Sequence, residues 1–536
     1  MNLRNSTPHG RGVRGLGLSR SSLLFGGAFG RLFRALPPAE FGGNDAETQA
    51  NLKLLGKAMV ATDDKPKDGP DAEESGIPAL YTYLGQFVDH DITFDPSSSL
   101  QQQNDPDGLV DYRTPKFDLD NIYGRGPDDQ PYLYDFSSGA GHAKFLLGNP
   151  LTGGGPLNPK ARDLARNNAP KQPARAVIGD PRNDENTLIS QLQGLFLQFH
   201  NRLIDDKKLN FPDAQRTLRY HYQWMLLNDF LVKLINKKTL HEVFPHLAAH
   251  SSIAVNPPVL KFYHARDEAF MPFEFSVAAY RFGHSMVRPG YRLNDGNTLL
   301  PIFGQEGLPE RPKSLRGFMA PASDWALDWA RFIDIELRPN GVMLDGRGKL
   351  PDGKDPSPQQ LEGNKRRLQM AYRIDPSIVF PLGDLPPDVA DLIIPSLAER
   401  NLVRGWRLRL PSGESVAKAM GQTVISPIHI GKFQDDPEVQ SIESISPAFK
   451  DNCPLWAYCL AETEQHPAPG LSNVRSNLLG PVGGRIVAET FAGLLTYDSQ
   501  SFLNQDPTWK PTIGDGKVFG LKEFVNFALG RKESGA

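Results

Sequence analysis

Residues 83–96 read YLGQFVDHDITFDP, and the rest of the chain is best read outward from them. Gln86, Asp89 and His90 fall at i, i+3 and i+4, which is one face of a helix. Asp91 is turned about 100° from His90. Leu84, Phe87 and Val88 interleave with these polar groups, so the segment reads as a buried helix with a polar stripe. A buried carboxylate or imidazole costs several kcal/mol unless it is paired or ligated. Two readings follow: a satisfied core Asp–His pair, or a functional centre whose partners lie elsewhere in the chain.

Around this stretch, 536 residues with 39% hydrophobic and 23% charged side chains describe a soluble globular protein with a large core. The formal net charge of −3 argues against nucleic acid as the main partner. No run of 18 apolar residues occurs, so no membrane span is expected. Residues 1–30 are expected to be a flexible basic arm, with Arg4, Arg11, Arg14 and Arg20 and no acidic residue. Leu23–Phe29 is too short and glycine-interrupted for a secretory signal, so a cytoplasmic protein or one exported by a non-classical route is expected. Cys453 and Cys459 leave room for one bridge and no disulfide framework. The absence of C-x-x-C-H excludes c-type haem attachment.

Fifty glycines and 46 prolines predict long ordered loops between helices. The first helix is expected over about 79–92. Residues 63–78 and 136–180 read as loops. In TPKFDLDNIYG (114–124), alternation turns Asp118 and Asp120 the same way from an extended strand or loop. A strong helix follows GDPRNDE (179–185), with Leu188, Leu192, Leu195, Phe199 and Leu203 at helical spacing and Asp184 as N-cap. Further helices are expected over about 212–237, 274–288 (ended by Pro289), 322–336, 386–400, 412–420, 484–497 and 520–530. The fold class is mainly α: one large helical domain over 31–536 with little β.

GQFVDHD resembles the distal-haem helix of the animal-type haem peroxidases of the peroxidase–cyclooxygenase superfamily. Four further motifs follow in that family's order, and the chain is identified as a member, with a bacterial source expected. The resemblance implies haem b as cofactor, with His90 as distal base and Arg182 as the cation that stabilises the departing oxygen. Gln86 completes the distal set. His284, in FSVAAYRFGHSMVRPGYRL, matches the proximal iron ligand, and Gly283 leaves room beside it for the haem plane. Asn401, in SLAERNLVRG, matches the amide that accepts the proximal imidazole N–H. Arg404 resembles the haem-propionate arginine, with Arg281 a second candidate. His200 is read as structural. The resemblance also implies calcium, held by Asp91, Thr114, Asp118 and Asp120 with the backbone carbonyl of Lys116. In the family, serine is usual where Asp120 stands and a bulky apolar residue where Lys116 stands. Asp89 and Glu185 match carboxylates that bond haem methyls as esters. A third bond, from a methionine after the glutamate, is not expected because Asn186 stands there.

The function so implied is reduction of hydrogen peroxide with oxidation of an organic donor or a halide, through a ferryl intermediate, in the response to oxidative stress. Fatty-acid oxygenases share the fold and carry a tyrosine three residues before the proximal histidine. Here that position is Arg281, with Tyr280 one residue off. A haem-free adhesion module is the third reading.

Overall fold

A computed structural model of the chain describes residues 27–61, 65–94, 109–167, 173–296, 299–304, 314–386, 394–431, 439–465, 477–514 and 518–531. Its helices of eight residues or more are α1 (Asp45–Ala58), α2 (Leu80–Ile92), α3 (Thr187–Asp205), α4 (Phe211–Met225), α5 (Pro358–Arg366), α6 (Leu397–Arg407), α7 (Leu455–Gln465), α8 (Pro481–Thr496) and α9 (Leu521–Ala528). Strands of two to five residues form one three-stranded sheet and otherwise only two-stranded ones. The architecture is mainly α with little β. No helix among the described residues is long and apolar enough to cross a membrane.

The core is built around α3, which packs on α2 and on α9. Leu84, Phe87, Val88 and Ile92 of α2 are fully buried. Phe87 stacks on Phe196 of α3, centroids 4.0 Å apart and rings 9° from parallel. Phe196 and Phe199 then meet Phe524 of α9 at 4.4 and 4.7 Å. Such pairs contribute about 0.5–1.5 kcal/mol each beyond the area they bury. α8 is buried on every side from Val482 to Leu495, and its two charged residues pair within it, Arg485 Nη1 donating to Glu489 Oε1 at 3.2 Å. Gly493 permits this, since a Cβ there would come within 2.4 Å of the Tyr263 ring.

Several elements depart from the sequence expectations. Only residues 27–30 of the basic arm fall among those described, and they are ordered: Gly27–Gly30 is a strand between Val110–Asp111 and Phe270–Pro272. The N-cap of α3 is Asn186, whose side chain accepts from the Leu188 and Ile189 amides at 3.1 and 2.9 Å. Asp184 is instead gripped by both terminal nitrogens of Arg166 at 2.9 Å. Residues 322–336 hold only a 3-10 turn, Trp329–Arg331, although Trp325, Trp329, Phe332 and Ile333 have helical spacing, because the Ala326, Leu327 and Asp328 amides donate to Thr152 O, Gln191 Oε1 and Leu293 O elsewhere in the fold. The expected 274–288 helix is a π turn (Glu274–Ala278) running into a 3-10 turn (Ala279–His284), and it ends before Pro289. The α4 helix continues through a π turn to Leu234. Of the helix expected over 386–400, residues 387–393 lie outside the described residues, and α6 starts at Leu397. Helices α1, α5 and α7 were not anticipated. Cys453 and Cys459 are buried free thiols, with no bridge.

Asn186→Ala should remove the α3 cap and lower stability by about 1 kcal/mol. The midpoint of denaturant unfolding would show it, and Asn186→Ser, which can also cap, should recover most of the loss.

Candidate active site

A cavity of about 260 Å³ opens between α2, the Pro181–Asp184 turn ahead of α3, the 274–284 segment and α6. Gln86, Asp89, His90, Arg182, Glu185, Arg281, His284, Asn401 and Arg404 all line it. Sequence positions more than 300 residues apart thus share one wall.

His90 is 4% exposed, and its Nδ1 lies 2.7 Å from Asn183 Oδ1. The Asn183 amide cannot turn freely, because its Nδ2 donates to Gln193 Oε1 at 2.8 Å. An oxygen at Nδ1 requires Nδ1–H, which leaves the lone pair on Nε2. Burial, followed by the charge of Arg182, pushes the imidazole down to about 4. His90 is therefore a neutral base above that pH.

Arg182 is held from behind. Its Nε and Nη2 donate to Asp180 at 2.8–3.2 Å, and Nη2 also donates to the His90 carbonyl at 3.0 Å. The guanidinium lies 4.5 Å from the Phe94 ring centroid. Among the described residues, Nη1 makes no hydrogen bond, so a fixed cationic donor remains for a ligand. Glu185 is raised to about 7 by burial and accepts from Gln86 Nε2. Asp89 is held below the ordinary carboxylate range: burial opposes this, but Arg281 Nη1, at 3.1 Å from Oδ2, leads the effects that outweigh it.

His284 ends the 3-10 turn, its Nδ1 2.8 Å from the Asn401 amide nitrogen of α6. A half-turn of that amide brings Oδ1 to the same place, and the two arrangements dictate opposite tautomers. Either way Nε2 is the nitrogen left for the cavity. Burial, then Arg281, lowers His284 to about 3. A Cβ added at Gly283 would meet no atom within 4 Å, so the backbone beside His284 opens directly on the cavity. That open flank and two histidines with uncommitted Nε2 fit a planar metallocofactor. Trp456 anchors the segment from outside, donating to the Arg281 carbonyl at 3.2 Å. His200 is structural, bonded to Tyr123 Oη and the Ala143 carbonyl.

Asp91 points away from the cavity into the 114–124 loop. Carboxylate oxygens of Asp91, Asp118 and Asp120 lie within 4.8 Å of one another. Of the strand or loop expected the segment is a loop: Leu119 adopts φ +62°, and a short helix begins at Asp120. That left-handed residue, not strand alternation, brings the two carboxylates together. Thr114 Oγ1 donates to Asp118 Oδ2 at 2.8 Å. The Lys116 carbonyl accepts no hydrogen bond among the described residues, while its amide donates to Thr114 O. Asp91 is fully buried, and neither of its oxygens has a partner of normal geometry, although the Leu119 amide and Tyr222 hydroxyl face it. Burial and the neighbouring carboxylates push it well above its usual range. Orphaned, clustered hard oxygens are the donor set a calcium ion uses.

Comparison with known proteins bears on this geometry. The sequence model of the family described as "Animal haem peroxidase" matches residues 97–306. The matched range holds the acidic loop, Arg182, Glu185 and His284, whereas α2 and Asn401 lie outside it and join the site by geometry alone. A Dual oxidase of Drosophila melanogaster is 27% identical over 126 residues, which span 22% of this chain and 7% of that relative. Among solved structures, peroxidase A of Dictyostelium discoideum is similar with a TM-score of 0.54 at 16% identity, covering 95% of this chain and 96% of that one. A fatty acid alpha-dioxygenase of Arabidopsis thaliana is similar with a TM-score of 0.51 at 12% identity, covering 93% and 75%. At these identities the structural likeness establishes the fold alone.

Sequence reading missed Asn183, Gln193, Asp180 and Arg113, which hold the site's side chains. Asn183 and Asp180 flank Arg182 in GDPRNDE, but nothing in their spacing says which side chain each grips. Arg400 also lines the cavity.

His90 should titrate at about pH 4, followed by NMR of histidine-labelled protein. In Arg182→Gln the midpoint should move up, because a repelling cation is gone. Titration near the ordinary 6.5 in the wild type would contradict the burial argument.

Proposed function

We propose that the cavity holds haem between His90 and His284, and that the protein is a haem-dependent peroxidase. It would reduce hydrogen peroxide and oxidise a small organic donor or a halide. One observation carries this reading: a buried and a half-buried histidine from separate elements line one cavity, each with Nδ1 held by an asparagine amide and Nε2 uncommitted. When bound, haem supplies the iron at which the O–O bond of peroxide is broken. His90 Nε2 takes the proton from the near peroxide oxygen and returns it to the far one, a role suited to an imidazole neutral at pH 7. Arg182 Nη1 stabilises the negative charge that develops on the departing oxygen without changing its own protonation.

On the other wall, His284 ligates through Nε2, which requires Nδ1–H to donate to Asn401 Oδ1. Arg404 and Arg281 are placed for the haem propionates. Asp91, Asp118 and Asp120 with Thr114 and the Lys116 carbonyl would hold calcium, and Asp91, so held, would fix the helix turn that carries His90.

A fatty-acid oxygenase is the second reading, favoured by Tyr280, which lines the cavity with its hydroxyl 3.3 Å from the Gly85 carbonyl. Arg281, tied to Asp89, occupies the position three residues before His284. Oxygen uptake with a fatty acid and no peroxide would favour that reading.

An optical spectrum of purified or haem-reconstituted protein should show a Soret band that hydrogen peroxide perturbs. His284→Ala should lower haem retention at least about tenfold, since the only protein ligand to iron is lost. Normal haem content in that variant would sink the assignment, and a wild type that takes up no haem would leave a haem-free module.

Asp89 and Glu185 are further proposed to become esters of haem methyls: one oxygen of each carboxyl would bond a methyl carbon that loses one C–H hydrogen, and one hydrogen peroxide per ester would take up the two electrons and both protons, one from the methyl and one from the carboxyl, as two waters. Haem should then stay with the polypeptide through acid–butanone extraction and intact-mass analysis. The double variant Asp89→Val, Glu185→Gln should release it. Complete extraction from peroxide-treated wild type would leave both as ordinary wall carboxylates.

A further inference from the structure

The acidic loop and the cavity are joined by a continuous chain of buried ion pairs. Asp120 Oδ2 lies 3.2 Å from Arg113 Nη1. Arg113 turns its other edge to Asp180, with Nε and Nη2 at 3.0 and 2.6 Å from Oδ2. Asp180 in turn grips Arg182 through Nε and Nη2. None of these groups is well solvated: the side chains of Asp180, Arg182, Arg113 and Asp120 are 0, 5, 12 and 21% exposed.

Fully ionised, Asp91, Asp118, Asp120 and Asp180 against Arg113 and Arg182 leave −2, a charge that one divalent cation cancels and that, without a cation, drives Asp91 toward holding a proton. Two uncompensated charges at this burial are expensive. The orphaned oxygens of Asp91 and Asp120 Oδ1 mark where that cation would sit.

We propose that Arg113 is a positioning residue that couples cation occupancy at Asp91, Asp118 and Asp120 to the placement of Arg182. With the cation bound, Asp120 divides its charge between the metal and Arg113. Arg113 then divides its fork between Asp120 and Asp180, and Asp180 holds Arg182 with Nη1 free for a ligand. With the cation lost, three mutually repelling carboxylates compete for Arg113, and its hold on Asp180 and Arg182 changes. A planar guanidinium with three N–H edges in use can serve two carboxylates at once, which a lysine ammonium does less well. The inference rests on the calcium reading of the acidic loop but not on haem binding.

Coupling is reciprocal, so it can be measured from the calcium end. The full chain, chelator-stripped and matched for haem content, is titrated calorimetrically with calcium chloride. Arg182→Gln leaves the chain one charge more negative and frees Asp180 to draw Arg113 from Asp120. Calcium affinity should therefore rise about fivefold or more in the wild-type background. In the Arg113→Gln background the same change should alter affinity less than about twofold. If Arg113→Gln does not fold, Arg113→Lys serves, and there too the coupling should be lost. An equal affinity change in both backgrounds would mean a through-space field and no relay. No calcium binding by the wild type, or no effect of Arg182→Gln in it, also overturns the proposal. Each of these failures leaves the haem reading standing, because no haem signal is used.

Discussion

Three consecutive polar residues, Asp89, His90 and Asp91, are carried into the interior by one buried helix turn. Each side chain leaves the helix about 100° from the last, so no single partner can satisfy all three. The fold answers each in a different way. Asp89 meets Arg281 from the 274–284 segment and Thr93 from its own helix. His90 meets the Asn183 amide, backed by Gln193 of α3. Asp91 meets no donor of normal geometry, only two more carboxylates, and that arrangement suits the calcium proposed for it. Packing of Phe87 on Phe196 sets the rotation of α2 against α3 and therefore which residue faces which solution.

The same logic explains why the site is assembled from irregular backbone. His284 ends a π turn followed by a 3-10 turn, where side chains cannot be spaced by helical periodicity. Glu274, fully buried at the start of that segment, accepts from the Leu32 and Phe33 amides at 3.1 Å. The chain just after the first strand is thereby pinned to the segment that bears His284. Asn401 arrives on a regular helix, α6, so the imidazole is fixed between one irregular and one rigid element.

The polar face of α2, the long apolar stripe of α3 and the alternation of helix with Gly/Pro-rich loop could be read from sequence, because periodic burial leaves a periodic pattern. The residues that end in the cavity could be named only through resemblance, since their meeting depends on long-range packing. What stayed hidden has specific causes. Asn186 and Asp184 are both good caps two residues apart, and only the salt bridge from Arg166, some 20 residues upstream, removes Asp184 from contention. The helix α1 had a capping Asn44 and acidic first turn, but its apolar stripe is too thin to separate it from a polar loop. Around Trp329, five large apolar residues suggested a helix, whereas they are buried from all sides by tertiary contact. Leu119 in a left-handed conformation has no sequence signature, as glycine or asparagine would be the usual residue there.

The two histidines differ in how firmly their chemistry is set by the protein. At His90 the Asn183 amide presents oxygen, and its donation to Gln193 Oε1 favours that sense, so Nδ1 carries the proton and Nε2 the lone pair. At His284 the Asn401 amide is not fixed by a further bond of this kind, and it presents nitrogen to Nδ1. A base must carry its lone pair before substrate arrives, whereas a ligand's lone pair can be set by the metal it binds. Both imidazoles are kept neutral by burial, at about 4 and about 3, so neither must shed a proton near neutral pH to act. The cation that lowers His90 is Arg182 and the one that lowers His284 is Arg281, and each is itself anchored by an aspartate, Asp180 and Asp89. Preorganised charge on both walls, rather than any single residue, is what the long sequence separations of this site are spent on assembling.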